Sequence, residues 1–163
     1  MEARALELAK TVDHVAAVEF LIGQDDIAQA VQTFNKLQRH SYWKEKNLSR
    51  SILFGRAGIQ HALSHARSIQ SSEPDEALRF VGRARALCFN QGSFAWTGWD
   101  EEGIEVNQTD AEFGLDAAKT CLRLRREEGK DEGQAQWLVG AHYLAANDLL
   151  EARKHFQASQ EAA

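Results

Sequence analysis

Proline is nearly absent, with a single residue, Pro74, in a chain of 163. A proline inside a helix costs roughly 3 kcal/mol, so helices are free to run along almost the whole length. Runs of β-branched residues alternating with polar ones are missing as well, which removes the pattern of a half-buried strand. Cysteine is scarce: Cys88 and Cys121 stand alone, and neither belongs to a C-x-x-C pair. Isolated cysteines on apolar helix faces read as buried free thiols, in keeping with a reducing compartment. Basic residues do not dominate. There are 19 Lys and Arg against 24 Asp and Glu, for a net charge of −5. Such a balance argues against nucleic acid as a partner, because nucleic-acid binding relies on many cations facing phosphates. No apolar run approaches the ~20 residues of a membrane span, so no membrane partner is expected. The N-terminal MEARALELAK is amphipathic and balances acids with bases, not a basic stretch followed by an apolar one. Together these features predict a cytoplasmic location.

Apolar residues make up 44% of the chain, enough for one domain with its own core over residues 1–163. Their spacing is helical. Residues 3–22 carry Leu8, Val12, Val15, Val18, Leu21 and Ile22, an apolar surface on nearly all sides that predicts one helix buried on two faces. After Gly23, Asp26 is placed to cap a helix bearing Ile27, Ala30, Val31, Phe34 and Leu37, running on to Trp43. Asn47 can cap a third, whose stripe is Leu48, Ile52, Gly55, Ile59, Ala62, Ala66 and Ile69. Gly55 and Gly58 weaken that helix intrinsically, so close packing should offset them. Ser72 and Asp75 have capping-box spacing around Pro74, ahead of Ala77, Val81, Ala84 and Cys88. Asn90-Gln91-Gly92 predicts the end of this element. Thr109 and Glu112 predict another capping box, followed by Phe113, Gly114, Ala117, Ala118, Cys121 and Leu122, with Gly129 closing the helix.

Residues 133–159, GQAQWLVGAHYLAANDLLEARKHFQAS, predict two short helices with Asp148 capping the second. The order Val139, Gly140, Tyr143, Ala152 and Phe156 resembles the tetratricopeptide repeat, a helix–turn–helix unit of roughly 34 residues. Gln136 and Asn147 stand where that family often has Trp and Gly. Leu21, Ala30 and Phe34 echo Tyr143, Ala152 and Phe156, so the N-terminal part resembles a second such unit. The resemblance implies an all-α fold, a right-handed superhelix of about four stacked hairpins, in which neighbours supply the core that a lone repeat lacks. It also implies a non-enzymatic protein-binding scaffold, whose partner is a protein, a peptide or a second copy of the chain.

Signs of chemistry are few. His61 and His65 share a helix face at i and i+4, the spacing of two metal ligands, but the stretch HALSH lacks the Glu of H-E-x-x-H and offers no third ligand. No G-x-S-x-G turn surrounds Ser51 or Ser64, and GKDEG at residues 129–133 lacks phosphate-loop spacing. Neither an enzyme nor a cofactor is therefore expected.

The tryptophans say more. In the family, the first helix of a repeat turns its other face to a concave groove. Position by position that face here is Trp137, Ala141, Leu144 and Ala145, and an apolar face must be covered. Residues 93–108, SFAWTGWDEEGIEVNQ, form an irregular segment with Phe94, Trp96 and Trp99 beside Asp100, Glu101 and Glu102. One expectation is that its aromatics fold inward against Trp137 as a lid while the acids stay solvated at the rim. The other is that the groove receives a partner, with the acids favouring a basic one. A regulatory domain binding a small apolar molecule under Trp96, Trp99 and Trp137 is the alternative function. The candidate binding residues are thus Trp96, Trp99, Asp100, Glu101, Glu102, Trp137, Ala141 and Leu144.

Overall fold

The structure, a computed structural model, describes residues 1–162. Among them it has eight α-helices and no strand, so the all-α expectation holds. In order these are α1 (Glu2–Thr11), α2 (His14–Ile22), α3 (Ile27–Trp43), α4 (Leu48–Ile69), α5 (Pro74–Phe94), α6 (Gln108–Glu127), α7 (Gly133–Ala145) and α8 (Leu149–Glu161). A single 3-10 turn, Thr97–Trp99, lies between α5 and α6. The chain divides into two compact units, one over Met1–Leu87 and one beginning at Cys88.

In the first unit, the long N-terminal helix expected over residues 3–22 is two helices. Asp13 is the cause. It adopts an extended conformation, and its carboxylate accepts the Ala16 N–H at 2.7 Å. A short acidic side chain is more stable capping a helix than lying inside one. The break also corrects the all-round burial: Val12 and Val15 are exposed, whereas Ala5, Ala17 and Leu21 are buried. Asp26 caps α3 through the Gln29 N–H at 2.9 Å, and Asn47 caps α4 through the Arg50 N–H at 2.9 Å, both as expected. Between α3 and α4, Lys46 takes a left-handed conformation (φ 52°).

Helix α3 pairs far more extensively with α4 than with α2. Gly58 allows it. A Cβ there would lie 2.7 Å from the Phe34 Cβ, closer than real Cβ contacts come, and 3.0 Å from Leu87 Cδ1, tighter than most. Phe34 therefore packs into a core with Ala5, Ala17, Leu21, Leu37 and Phe54. The buried Gln38 amide donates to the Leu87 carbonyl at 3.2 Å, so its desolvation is compensated. Pro74 opens α5 as expected, but the Ser72–Asp75 capping box does not form. The Ser72 hydroxyl donates backward to the Ile69 carbonyl, finishing α4 instead.

The second unit corrects two further boundaries. Asn90-Gln91-Gly92 does not end a helix; α5 continues to Phe94. Tertiary contacts override the local turn signal. The buried Gln91 amide donates to the Phe113 carbonyl at 3.3 Å, and a Cβ on Gly92 would meet Leu138 Cδ2 at 2.9 Å. The capping box of α6 belongs to Asn107 and Asp110, not Thr109 and Glu112. Asn107 reaches the Asp110 N–H at 2.9 Å, and Asp110 answers at 3.3 Å. Between α5 and α6 the segment read as irregular is the 3-10 turn and a loop. Cys88 and Cys121 are buried free thiols, as expected. Burial pushes the Cys88 thiol well above its ordinary value, which suppresses the thiolate.

Helices α7 and α8 form a tight antiparallel pair. A Cβ on Gly140 would sit 2.9 Å from two Phe156 ring carbons and 3.3 Å from the Ala152 carbonyl oxygen. The connecting turn places Asn147 in the left-handed region (φ 60°), a conformation asparagine tolerates. Asp148 then caps α8 through the Glu151 N–H at 3.2 Å. Leu149 stands at helical spacing with Ala152 and Phe156 but is exposed.

Candidate functional site

The exposed face of α7 and the segment before α6 build the only tryptophan cluster among the described residues. Trp96 follows the end of α5, and its indole N–H donates to the Ala141 carbonyl of α7 at 3.1 Å. That bond fixes the ring against the α7 backbone. Trp99 and Trp137 each meet Trp96 edge to face, at centroid distances of 5.5 and 5.3 Å. Such edge contacts add about 0.5–1.5 kcal/mol each beyond area burial. Gly98 is needed for this arrangement, because a Cβ there would fall 2.2 Å from the Trp96 ring. Asp100, left-handed at φ 46°, ends the 3-10 turn and starts the acidic run.

The aromatics expected to turn inward behave differently from one another. Phe94 is buried and Trp96 half-buried, as a lid requires. Trp99 is not part of the lid: it is 56% exposed. The reason is geometric. Trp96 already covers the α7 backbone at Ala141, and Trp99 meets Trp96 edge to face. On α7, Ala141 is 2% exposed, whereas Trp137 is 42% and Leu144 50% exposed. The face expected to need a cover is covered at Ala141 and open at Trp137 and Leu144. Asp100 and Glu102 are exposed, matching a solvated rim; Glu101 is half-buried, and its carbonyl accepts the Ile104 N–H at 3.0 Å.

Two features near this site were not legible beforehand. His142 is buried on α7, with Nε2 2.8 Å from the Gly92 carbonyl. Burial holds its pKa below the ordinary histidine value, against a smaller opposing pull from that carbonyl. On the other side of α7, Gln136 links His155 Nδ1 (2.7 Å) to Glu132 (3.0 Å), which also receives Arg126 Nε at 2.9 Å. Each member has a partner, so the chain of bonds ties α8 and α7 to the end of α6. Gln136 is thus buried with satisfied hydrogen bonds. The sequence signal was its burial-prone spacing one turn before Gly140, without any hint of the polar partner.

The histidine pair of the first unit is separated in role. His61 meets the Phe34 ring edge at 6.3 Å, and His65 meets Phe80 at 4.5 Å. Burial, and to a lesser degree His65, lowers the His61 pKa. Among the described residues no group of three His, Cys, Asp or Glu side chains could hold a metal, and no helix is long and apolar enough to cross a membrane. In comparison with known proteins, the chain matches no family model, no curated protein and no solved structure.

Proposed function

We propose that the chain is a non-enzymatic protein-binding scaffold of the tetratricopeptide type, its hairpins stacked in a right-handed superhelix. Its contact surface is the cluster of Trp99, Trp137 and Leu144 rimmed by Asp100 and Glu102. The supporting observation is the exposure of two tryptophans that are nonetheless held in place. Trp99 and Trp137 are 56% and 42% exposed, yet both rest on a Trp96 ring anchored to α7 by a hydrogen bond. Rigid aromatic side chains give contact area at little entropic loss, and tryptophan is enriched among the residues that dominate binding energy. The acids beside Trp99 favour a protein or peptide with basic residues flanking an apolar one. The buried cysteines, joined in no disulfide, accord with work in the cytoplasm.

The small-molecule alternative needs an enclosed cavity beneath the tryptophans. Trp96 bonded directly to the α7 backbone favours an open surface instead. The test is affinity capture from the source cell with the parent chain, with Trp137→Ala, and with Asp100→Lys combined with Glu102→Lys. A specific partner should be lost with the first variant and weakened with the second, at unchanged helicity. Retention of the same partner by both variants would move the binding surface elsewhere.

A further inference from the structure

A cleft of about 670 Å³ lies within the first unit, lined by α3 and the middle of α5. Its volume falls in the range of small-molecule sites, about 300–1,000 Å³. Gln29, Gln32, Lys36 and Arg39 recur at helical spacing along one face of α3, and Arg83 comes from α5. The lining thus holds three cations, in a chain whose net charge is −5. The one carboxylate among the lining residues, Asp26, is committed to the α3 cap through the Gln29 N–H. It also stands thirteen residues before Arg39, about 20 Å along the helix axis at 1.5 Å per residue.

The cations are only partly neutralised. Arg39 has no ion-pair partner among the described residues. Arg83 reaches Glu76 only at 3.7 Å, and its buried Nη1 has no hydrogen-bond partner. A buried guanidinium N–H without an acceptor is a costly arrangement that an incoming anion relieves. Lys36 is held by Glu2 at 2.7 Å, and that pair borders an adjoining cavity of about 460 Å³ lined in part by Gln29, Gln32 and Lys36. Two guanidinium groups, an ammonium and side-chain amides line the cleft beside Val31 and Ala28, donors of the kind that hold a phosphate on a small organic body.

The geometry points to a binding site for a small soluble phosphate compound in this cleft, with Arg39 and Arg83 as its principal phosphate donors and Glu2 as a competitor for Lys36. The site is independent of the tryptophan surface, which belongs to the other unit. The test is isothermal titration of the full chain with inorganic pyrophosphate at low ionic strength, alongside flotation with vesicles containing phosphatidylserine. The expected result is saturable one-site binding that weakens with added salt and no association with vesicles. Arg39→Gln and Arg83→Gln should each lower the affinity about tenfold, the scale of a lost charge-assisted hydrogen bond. Glu2→Gln should raise it severalfold by freeing Lys36. Arg39 is exposed and unpaired, so Arg39→Gln keeps the fold even if Arg83→Gln does not. Absence of saturable binding, equal affinity in Arg39→Gln, or vesicle association without pyrophosphate binding would each overturn the assignment.

Discussion

Phe34 and Phe156 stand at the same spacing after an alanine, Ala30 and Ala152, and each presses on a glycine of a neighbouring helix. Their surroundings differ. Phe34 lies on α3, meets Gly58 of α4, and shares a core with residues of α1 and α2, so it is fully buried. Phe156 lies on α8, meets Gly140 of α7, and is half-buried. The same local device closes two helix pairs, but a phenylalanine packed from two sides contributes more than one packed from a single side. Packing density around the ring, not the motif, sets the energy.

Replacing the two rings sharpens this contrast most. Phe34→Ala should cost about 3–5 kcal/mol, the range for a buried aromatic, and Phe156→Ala roughly half of that. Chemical denaturation of both variants measures the difference, and equal losses would show that α8 is packed as densely as α3. The tryptophan cluster contains a similar contrast. Trp96→Ala removes a half-buried ring and its bond to Ala141, and should cost about 3 kcal/mol, the low end for tryptophan. Trp99→Ala, on an exposed ring, should stay below about 1 kcal/mol while weakening a partner. Thermal melts of the two variants should separate clearly.

The glycines give a smaller effect. Gly58→Ala places a methyl against the Phe34 Cβ, which is fixed to the backbone and cannot swing clear, and should cost about 1–3 kcal/mol. Gly140→Ala meets the ring of Phe156, which has room to tilt, and should cost less, as paired denaturation curves will show. A reversed order would mean that α7 and α8 are the more rigid pair.

The smallest expected effect is a pH dependence. His142 and His61 both have pKa values lowered by burial, so protonation favours the unfolded chain. Their contribution is fully present above the ordinary histidine value of about 6.5 and is lost as pH falls through the lowered folded value. His142 is the more deeply buried, so His142→Gln should flatten the loss of stability between neutral and mildly acidic pH more than His61→Gln. Stability profiles of the two variants against pH check that order.

Helix boundaries were legible where one side chain satisfies the backbone locally. Asp26, Asn47 and Asp148 cap as their positions imply, because the acceptor and the donor lie within three residues. The same logic erred where two local solutions compete. Thr109 with Glu112 and Asn107 with Asp110 both have capping-box spacing, and only the folded chain selects the second. Asp13 carried its own signal, an acid ahead of the apolar run Val15 to Val18, which the apolar periodicity around it masked. In the candidate site, Trp96, Trp137 and Ala141 were legible as neighbours because one helix face sets two of them. The exposure of Trp99 was not, since it depends on which ring reaches the α7 backbone first.

The amino-acid order by itself determined that this chain is helical, where most helices start, and that Cys88 and Cys121 are buried thiols. Those properties depend on interactions within a turn or two of chain, or on the scarcity of proline. Only the tertiary structure decided that α5 passes through Asn90-Gln91-Gly92, that Phe34 finds its glycine on α4, and that Trp96 instead of Trp99 seals α7. Each of these turns on contacts between residues 20 or more positions apart, or on which of two rings reaches such a contact. Their distances follow from close packing of whole helices, which no local pattern encodes.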